Sequence, residues 1–349
     1  MVSNEEIMVI MNKKICFIML TAIFMVSFVQ GQPPQDQQRG SGGETRYHGP
    51  FIENFTKPTS DFFNYNIRRS GYDFRYYSGI PSLSEKGTDI MMYRIDPEDP
   101  AGAGRGPEII SKDYTYYGTY SARIKVPNAA KVQPNIGAVV GYFTYNVDPV
   151  FGQSEIDYEW LIADPEVIYV GAWTGVRPAH NRIGRTINLA KGIIYDTSYR
   201  GENIGDGGAR ETTNRGRLTG EQNQPEMITP IANYNAAARF YVYGFDWYPD
   251  RITWWIIHPD TNEKIILWDY KGTDVFPNQP ASTGIPVAHT RYRLNFWHTN
   301  NWPVQTNPNS IEAPFYPYEL EIDWMSYKPF EDLNPTPQVQ RRSMPSAGN

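Results

Sequence analysis

The sequence predicts an all-β chain folded as a two-sheet β-sandwich of the jelly-roll type, and three observations lead there. Short stretches alternate polar and apolar residues with a period of two, turn-forming Pro, Gly, Asn or Asp bound each of them, and no amphipathic stretch of helical period exceeds about two turns. Many short strands with no helices between them pack as two sheets, whereas a parallel sheet needs helical crossovers.

Taken in order, Gly118–Val126 alternates strictly and reads as a strand buried on one face. Ile136–Tyr145 is almost continuously apolar, as a strand covered on both faces would be. Phe240–Trp247 alternates again, and Arg251–Ile257 follows it after Tyr248-Pro249-Asp250, a hairpin-like connector. Tyr292–Trp297 and Tyr318–Trp324 complete the pattern. Residues 191–238 stand apart: they are polar, rich in Gly, Asn, Arg and Thr, and centred on Gly205-Asp206-Gly207-Gly208. They read as an insertion loop inside a single domain spanning 48–330, and loops of that length are commonly functional.

The ends carry different signals. Lys13 and Lys14 precede an apolar run, Ile15 to Val29, with the small-residue exit Val29-Gln30-Gly31, so residues 1–31 read as a signal peptide and the protein as secreted. A membrane span needs about 20 apolar residues, more than this run supplies. Residues 32–47 read as a flexible linker and 331–349, rich in Pro, Gln and Ser, as a disordered tail. The sole cysteine, Cys16, lies in the leader, so the remaining chain holds no disulfide and depends on an apolar core. With 32 Lys and Arg against 38 Asp and Glu and no basic block, the chain is not built for nucleic acid or an anionic membrane, and a monomer is expected. Aromatic residues make up 14% of the chain, including 9 Trp and 25 Tyr. Most such rings belong in a core, but ring faces also stack on sugar C–H faces, which fits a polysaccharide partner.

The chemistry concentrates in Glu155-Ile156-Asp157-Tyr158-Glu159. Carboxylates alternating with apolar residues on a strand place all three acids on one face. Like charges that close repel, and nothing basic lies in the adjacent sequence. Three readings account for them: a solvated strand face, a Ca²⁺ or Mg²⁺ site, or a glycosidase centre. Glycoside cleavage needs two carboxyl groups in different protonation states, and crowding raises one pKa.

Beyond these residues the chain resembles glycoside hydrolase family 16. Phe143-Thr144-Tyr145-Asn146 followed by Ser154-Glu155-Ile156-Asp157-Tyr158-Glu159-Trp160-Leu161 looks like that family's signature in its unbulged Glu-x-Asp-x-Glu form. Tyr117–Lys125, Tyr243–Trp254, Leu294–Trp297 and Glu321–Tyr327 fall in family order, so the resemblance spans roughly Phe51 to Tyr327. It implies a concanavalin A-like lectin/glucanase jelly roll and a retaining mechanism with Glu155 as nucleophile, Asp157 as its assistant and Glu159 as acid/base. It implies substrate contacts at Glu108, Trp173 and Trp297, and a structural calcium at Asp323 with backbone oxygens near Glu53-Asn54 and in the Ala101–Gly106 region. No cofactor is required for the chemistry. The chain departs from the family pattern at Ile110, where a polar or basic residue is common, at Phe151-Gly152-Gln153-Ser154, where a Trp is expected, and at the 191–238 insertion.

The expected activity is therefore endo-acting retaining hydrolysis of a β-1,3-1,4- or β-1,3-glucan. A transglycosylase passing the sugar to another glycan or xyloglucan is the alternative, and a non-catalytic carbohydrate-binding sandwich is a third. The histidines, at 48, 180, 258, 289 and 298, have no metal-ligand spacing. Asn54-Phe55-Thr56 is a glycosylation sequon that only a eukaryotic secretory pathway would use.

Overall fold

The computed structural model describes residues 46–67, 76–81, 89–97, 106–176, 180–204, 210–272, 283–298 and 312–334. The expected signal peptide, nearly all of the expected linker, the Gly205–Gly208 centre and residues 335–349 of the expected tail lie outside them. All described residues belong to the compact unit Gly31–Asn349.

These residues form strands joined by turns. The first are β1 (Phe51–Glu53), β2 (Phe63–Ile67), β3 (Tyr76–Pro81), β4 (Asp89–Ile95), β5 (Glu108–Ser111) and β6 (Gly118–Lys125). Next come β7 (Ala138–Asp148), β8 (Gly152–Leu161), β9 (Val167–Gly175), β10 (Asn181–Asn188), β11 (Ile193–Ile204) and β12 (Arg210–Arg217). The last are β13 (Tyr241–Trp247), β14 (Arg251–Ile257), β15 (Lys264–Lys271), β16 (Arg291–His298) and β17 (Tyr318–Pro329). One antiparallel sheet runs β15-β14-β13-β6-β17-β4-β3, with β1 added on β17. The other runs β12-β11-β10-β9-β8-β7-β16-β5-β2, which makes the carboxylate strand β8 its middle strand. The two-sheet sandwich is as the alternation predicts.

The core between the sheets is strongly aromatic. Trp160, Trp247, Trp254, Trp268, Tyr120, Tyr142, Tyr158 and Tyr243 are fully buried, and of the described tryptophans only Trp324 is not buried. Most of the aromatic excess is thus spent on the core, and its polar tips find partners there. Tyr292 and Tyr142 join hydroxyls at 2.9 Å, Trp247 Nε1 donates to Pro286 O at 3.0 Å, and Trp268 Nε1 donates to Gln222 O at 2.9 Å.

These tips also fix β8. Ile156, Tyr158 and Trp160 enter the core with no exposure, so the alternating acids must face the other way. The Tyr158 hydroxyl lies 2.9 Å from Gly244 O and 2.7 Å from Trp255 O and donates across that pair, while Trp254 Nε1 donates to Asp157 O at 3.1 Å. Tyr158→Phe is expected to cost about 1–2 kcal/mol, the value of a lost hydrogen bond that leaves buried acceptors less satisfied. Thermal unfolding should show a Tm fall of about 2–8 °C.

Part of the segment expected as a loop at 191–238 is instead sheet. β11 and β12 pair antiparallel and extend the nine-stranded sheet, and Gln222 O and Gln224 O then accept from Trp268 Nε1 and Asp269 N of β15. Apolar periodicity missed this pair because β11 and β12 build their ladder from Thr, Ser, Tyr and Arg with few apolar residues. Arg185 ties the return segment down from the core side. Its Nε donates to Thr197 Oγ1 at 3.0 Å, its Nη1 to Pro225 O and Leu267 O at 2.9 Å, and its Nη2 to Asn223 Oδ1 at 2.7 Å. The start of the expected tail is also placed. Glu331–Leu333 forms a 3-10 turn, and Asn334 Nδ2 donates to Tyr117 O at 2.6 Å.

Candidate active site

Antiparallel register turns the nine-stranded sheet into rows of side chains on one face. The Glu155 row runs Arg291, Tyr145, Glu155, Trp173, Arg182 across β16, β7, β8, β9 and β10. The Asp157 row runs Ile110, Arg293, Phe143, Asp157, Gly171, Gly184, starting on β5. The Glu159 row runs Glu108, Asn295, Gly141, Glu159, Tyr169, Thr186. β8 pairs with both neighbours without a bulge between Glu155 and Glu159, so all three acids share this face.

Burial and mutual repulsion set their charge states. Asp157 is 4% exposed, while Glu155 and Glu159 are partly exposed. Burial raises the Asp157 pKa well above the usual carboxylate range, the Glu155 and Glu159 charges raise it further, and Arg182 pulls it back. Burial and then the Glu155 charge push Glu159 up to about 8, again opposed by Arg182. The Asp157 carboxyl lies within hydrogen-bond reach of Glu155. Its Oδ2 is buried and makes no hydrogen bond among the described residues, so the bond to Glu155 falls to the other oxygen. Glu155 Oε2 accepts from Gln153 Nε2. A proton on Asp157 and the Gln153 amide thus both favour Glu155 as the ionised member.

The cation missing from the adjacent sequence arrives from β10. Arg182 Nε donates to the Tyr169 hydroxyl at 2.7 Å, and its guanidinium carbon lies 4.5 Å from the Tyr169 ring centre and 5.4 Å from that of Trp173. Two glycines make room for this. A Cβ on Gly171 would stand 2.1 Å from Tyr169 Oη and 2.7 Å from Ile183 O, and one on Gly184 2.6 Å from Tyr169 Oη. Gly171→Ala must therefore move Tyr169 and with it Arg182, next to the carboxylates. Overpacking of this kind costs about 1–3 kcal/mol. The expected result is a lower Tm together with a fall in kcat/KM, read by thermal unfolding and initial rates.

The other expected site residues are placed as follows. Trp173 stands opposite Glu155, 5% exposed, with its ring centre 5.1 Å from that of His180. Trp297 lies on β16 two residues beyond Asn295, past the Glu159 end of the triad, and is 8% exposed. Glu108 is fully buried, and its Oε1 meets Arg293 Nη1 at 3.3 Å, so the carboxylate engages a guanidinium. Ile110, the departure from the family pattern, faces the same Arg293.

Asp323 belongs to the opposite sheet, where it is the extra residue of a bulge in β17 and pairs with Arg123 Nη1. Glu53 accepts from Phe55 N at 2.9 Å and from the Ser60 hydroxyl. Calcium takes 6–8 oxygen ligands. Among the described residues no three His, Cys, Asp or Glu gather, and Asp323 faces the Arg123 guanidinium. Ala101–Arg105, part of the implied ligand set, lie outside the described residues.

Four residues of this face were not singled out from sequence: Gln153, Tyr169, Arg182 and Asn295. Gln153 had a signal, because the period of two extends back from Glu155. Tyr169 and Arg182 lie 10 and 23 residues beyond Glu159, and only the register reveals them. Asn295 Oδ1 is buried over Gly141, where an added Cβ would stand 2.5 Å away, beside Glu159 in its row.

No family model matches the chain, and no curated protein matches it. Among solved structures it is similar to a prokaryotic β-1,3-1,4-glucanase (lichenase) derived from a mouse hindgut metagenome, with 19% identity, a TM-score of 0.45, and coverage of 81% of this chain and 100% of the other. It is similar to a Bacillus licheniformis β-glucanase, with 18% identity, a TM-score of 0.45, and coverage of 80% and 98%. It is similar also to Crh5 transglycosylase in complex with NAG, with 15% identity, a TM-score of 0.47, and coverage of 84% and 88%.

Proposed function

We propose that this chain is a secreted, endo-acting β-glycan hydrolase working with retention, with a β-1,3-1,4- or β-1,3-glucan backbone as its substrate. The observation that carries the reading is the placement of three acids of unequal burial on one face of one unbulged strand. Burial and the Glu155 charge push Glu159 up to about 8, burial and both neighbouring charges raise Asp157 beside Glu155, and Gln153 Nε2 donates to the Glu155 carboxylate. A solvated strand face would not bury Asp157, and the Arg182 guanidinium already supplies a positive charge beside the acids.

Retaining cleavage assigns a role to each group. Ionised Glu155 attacks the anomeric carbon while protonated Glu159 gives its proton to the departing glycosidic oxygen. The C–O bond breaks and an ester to Glu155 forms. Glu159, now a carboxylate, takes a proton from water as the water oxygen attacks the same carbon and releases Glu155. Asp157 donates its proton to a Glu155 oxygen and holds it in line. Secretion rests on the leader-like residues 1–31.

A digestion panel of lichenan, laminarin, xyloglucan, agarose and carrageenan tests the reading by release of reducing ends and by product length. Internal fragments from at least one polymer are expected. Products longer than the donor would make transfer the main reaction, and inertness toward every polymer would sink the hydrolase reading.

A further inference from the structure

The other sheet carries a depression on the face that points away from the core. Phe245, Trp247, Ile252, Trp254, Trp268 and Tyr270 are fully buried, so Asp246, Arg251, Thr253 and Asp269, which alternate with them, point outward. Register sets Thr119, Asp246, Thr253 and Asp269 in one row across β6, β13, β14 and β15. Gln224 and Pro225 close one side, where Asp269 N donates to Gln224 O at 2.7 Å and Arg185 Nη1 holds Pro225 O at 2.9 Å. The cavity measures about 450 Å³, within the about 300–1,000 Å³ of small-molecule sites, and every residue lining it is partly exposed. The acids of β8 lie on the outward face of the nine-stranded sheet, so the core separates the two places.

Two polar groups of this cavity are drawn away from each other although they stand within reach. Arg251 lies opposite Lys271 and Thr253 opposite Asp269, which makes Arg251 and Asp269 diagonal neighbours, a separation that long side chains bridge. No ion pair joins them. The Arg251 guanidinium carbon lies instead 4.4 Å from the Tyr248 ring centre, and Tyr248 stacks on Phe330 with ring centres 4.4 Å apart. Asp269 Oδ1 accepts from Thr253 Oγ1 at 2.6 Å. Among the described residues the Arg251 guanidinium and Asp269 Oδ2 have no hydrogen-bond partner. A fixed donor and a fixed acceptor therefore line one open space, with Ile266 and Pro225 as its apolar wall.

The charges here balance, which selects a neutral ligand. Arg251 and Lys264 match Asp246 and Asp269, and Asp246 already accepts from Lys264 Nζ and Thr119 Oγ1, both at 2.8 Å. Calcium needs 6–8 oxygens, more than this wall offers, and an anion would meet the Asp269 charge. Neighbouring sugar hydroxyls both donate and accept, so one ring can give to Asp269 while taking from Arg251, each in a charge-assisted bond. We propose that this depression is a second glycan-binding site, centred on Arg251, Thr253 and Asp269, which holds a neutral β-glucan chain while another stretch is cleaved at the β8 acids. The proposal rests on the hydrolase reading above and adds a place where polymer binds without being cut.

The test compares the full chain with Arg251→Gln and with the double variant Arg251→Gln, Asp269→Asn, which leaves net charge unchanged. Asparagine can still accept from Thr253, and the Arg251 side chain makes no hydrogen bond to a described residue, so both variants should fold, as thermal unfolding checks. The probes are curdlan particles, lichenan, and soluble hexasaccharides of both linkage types. Binding is measured in the Glu155→Gln background, without cleavage, by depletion onto curdlan and by retardation in lichenan-containing native gels. The double variant should bind polymer roughly tenfold more weakly, the loss of one charge-assisted hydrogen bond, and Arg251→Gln alone roughly threefold. With Glu155 intact, kcat/KM on the hexasaccharide that is cleaved should stay within about twofold of wild type, whereas the rate on its polymer at low concentration falls by roughly three- to tenfold.

Polymer binding unmoved by the double variant overturns the proposal, and so does absence of binding to both polymers. Equal losses on polymer and hexasaccharide overturn it too, because the effect would then lie in the catalytic groove. The two readings fail separately. Cleavage of a glucan, with binding indifferent to both variants, removes the second site and keeps the hydrolase. Binding that depends on Arg251 and Asp269, with no polymer cleaved, removes the hydrolase and keeps the glycan site.

Discussion

Glu155→Gln is expected to abolish polysaccharide cleavage, lowering kcat by at least about a thousandfold, the usual scale for loss of a catalytic nucleophile, in a protein that still folds. The amide keeps the shape of the carboxylate and can still accept from Gln153, but it cannot form the ester on which both steps depend. The fold should tolerate it because β8 is anchored from its other face by Ile156, Tyr158 and Trp160, none of which is touched. Removing one of three crowded charges also relieves the repulsion that raises the other two. Reducing-end assays and thermal unfolding on one preparation check both halves. Activity equal to wild type would remove Glu155 from the mechanism.

Glu159→Gln should lower the rate by about 10²–10⁴-fold, the range for loss of a general acid, and should remove the alkaline limb of the pH profile. In the wild-type protein that limb is expected near pH 8, where Glu159 gives up its proton and can no longer assist the leaving group. The same shift predicts a stability effect of defined sign. The folded value, about 8, stands above the ordinary 4.5, so between those limits the folded state holds a proton that the unfolded state has lost. The contribution is fully present below about pH 4.5 and is lost as pH rises through about 8. Glutamine never ionises and escapes that loss. The Tm of Glu159→Gln should therefore rise relative to wild type from about pH 4.5 to about pH 8, reaching roughly 3–8 °C, and stay level above that. A constant difference across this range would mean that the folded protein does not hold the Glu159 proton above the usual carboxylate range.

The fold was legible where side-chain alternation was strict. Arg251–Ile257 was placed to the residue, and Gly118–Val126 and Phe240–Trp247 to within one, because each buries one face of a strand against an aromatic core. Legibility failed where that contrast is absent. β11 and β12 show no apolar stripe, so polar composition read as a loop although Thr, Tyr and Ile favour a ladder. The acids could be grouped from their spacing because neighbours two apart on a strand share a face whatever the fold. The residues that tune them could not. Arg182 and Tyr169 reach Asp157 and Glu159 only because β9 and β10 pair in one register, and a shift of one residue would send both to the core side. Asp323 shows the opposite limit. Its position in the sequence gave no sign of the bulge that directs it to Arg123.

Trapping the glycosyl-enzyme tests the central claim most directly. A slowly released 2-fluoro glycosyl donor, built on the backbone that the protein cleaves, should leave one sugar on the protein, and peptide mass spectrometry should map it to Glu155. An adduct on Glu159 would reverse the two roles. Turnover with no adduct, and with products whose anomeric configuration is first inverted, would contradict the retaining mechanism outright.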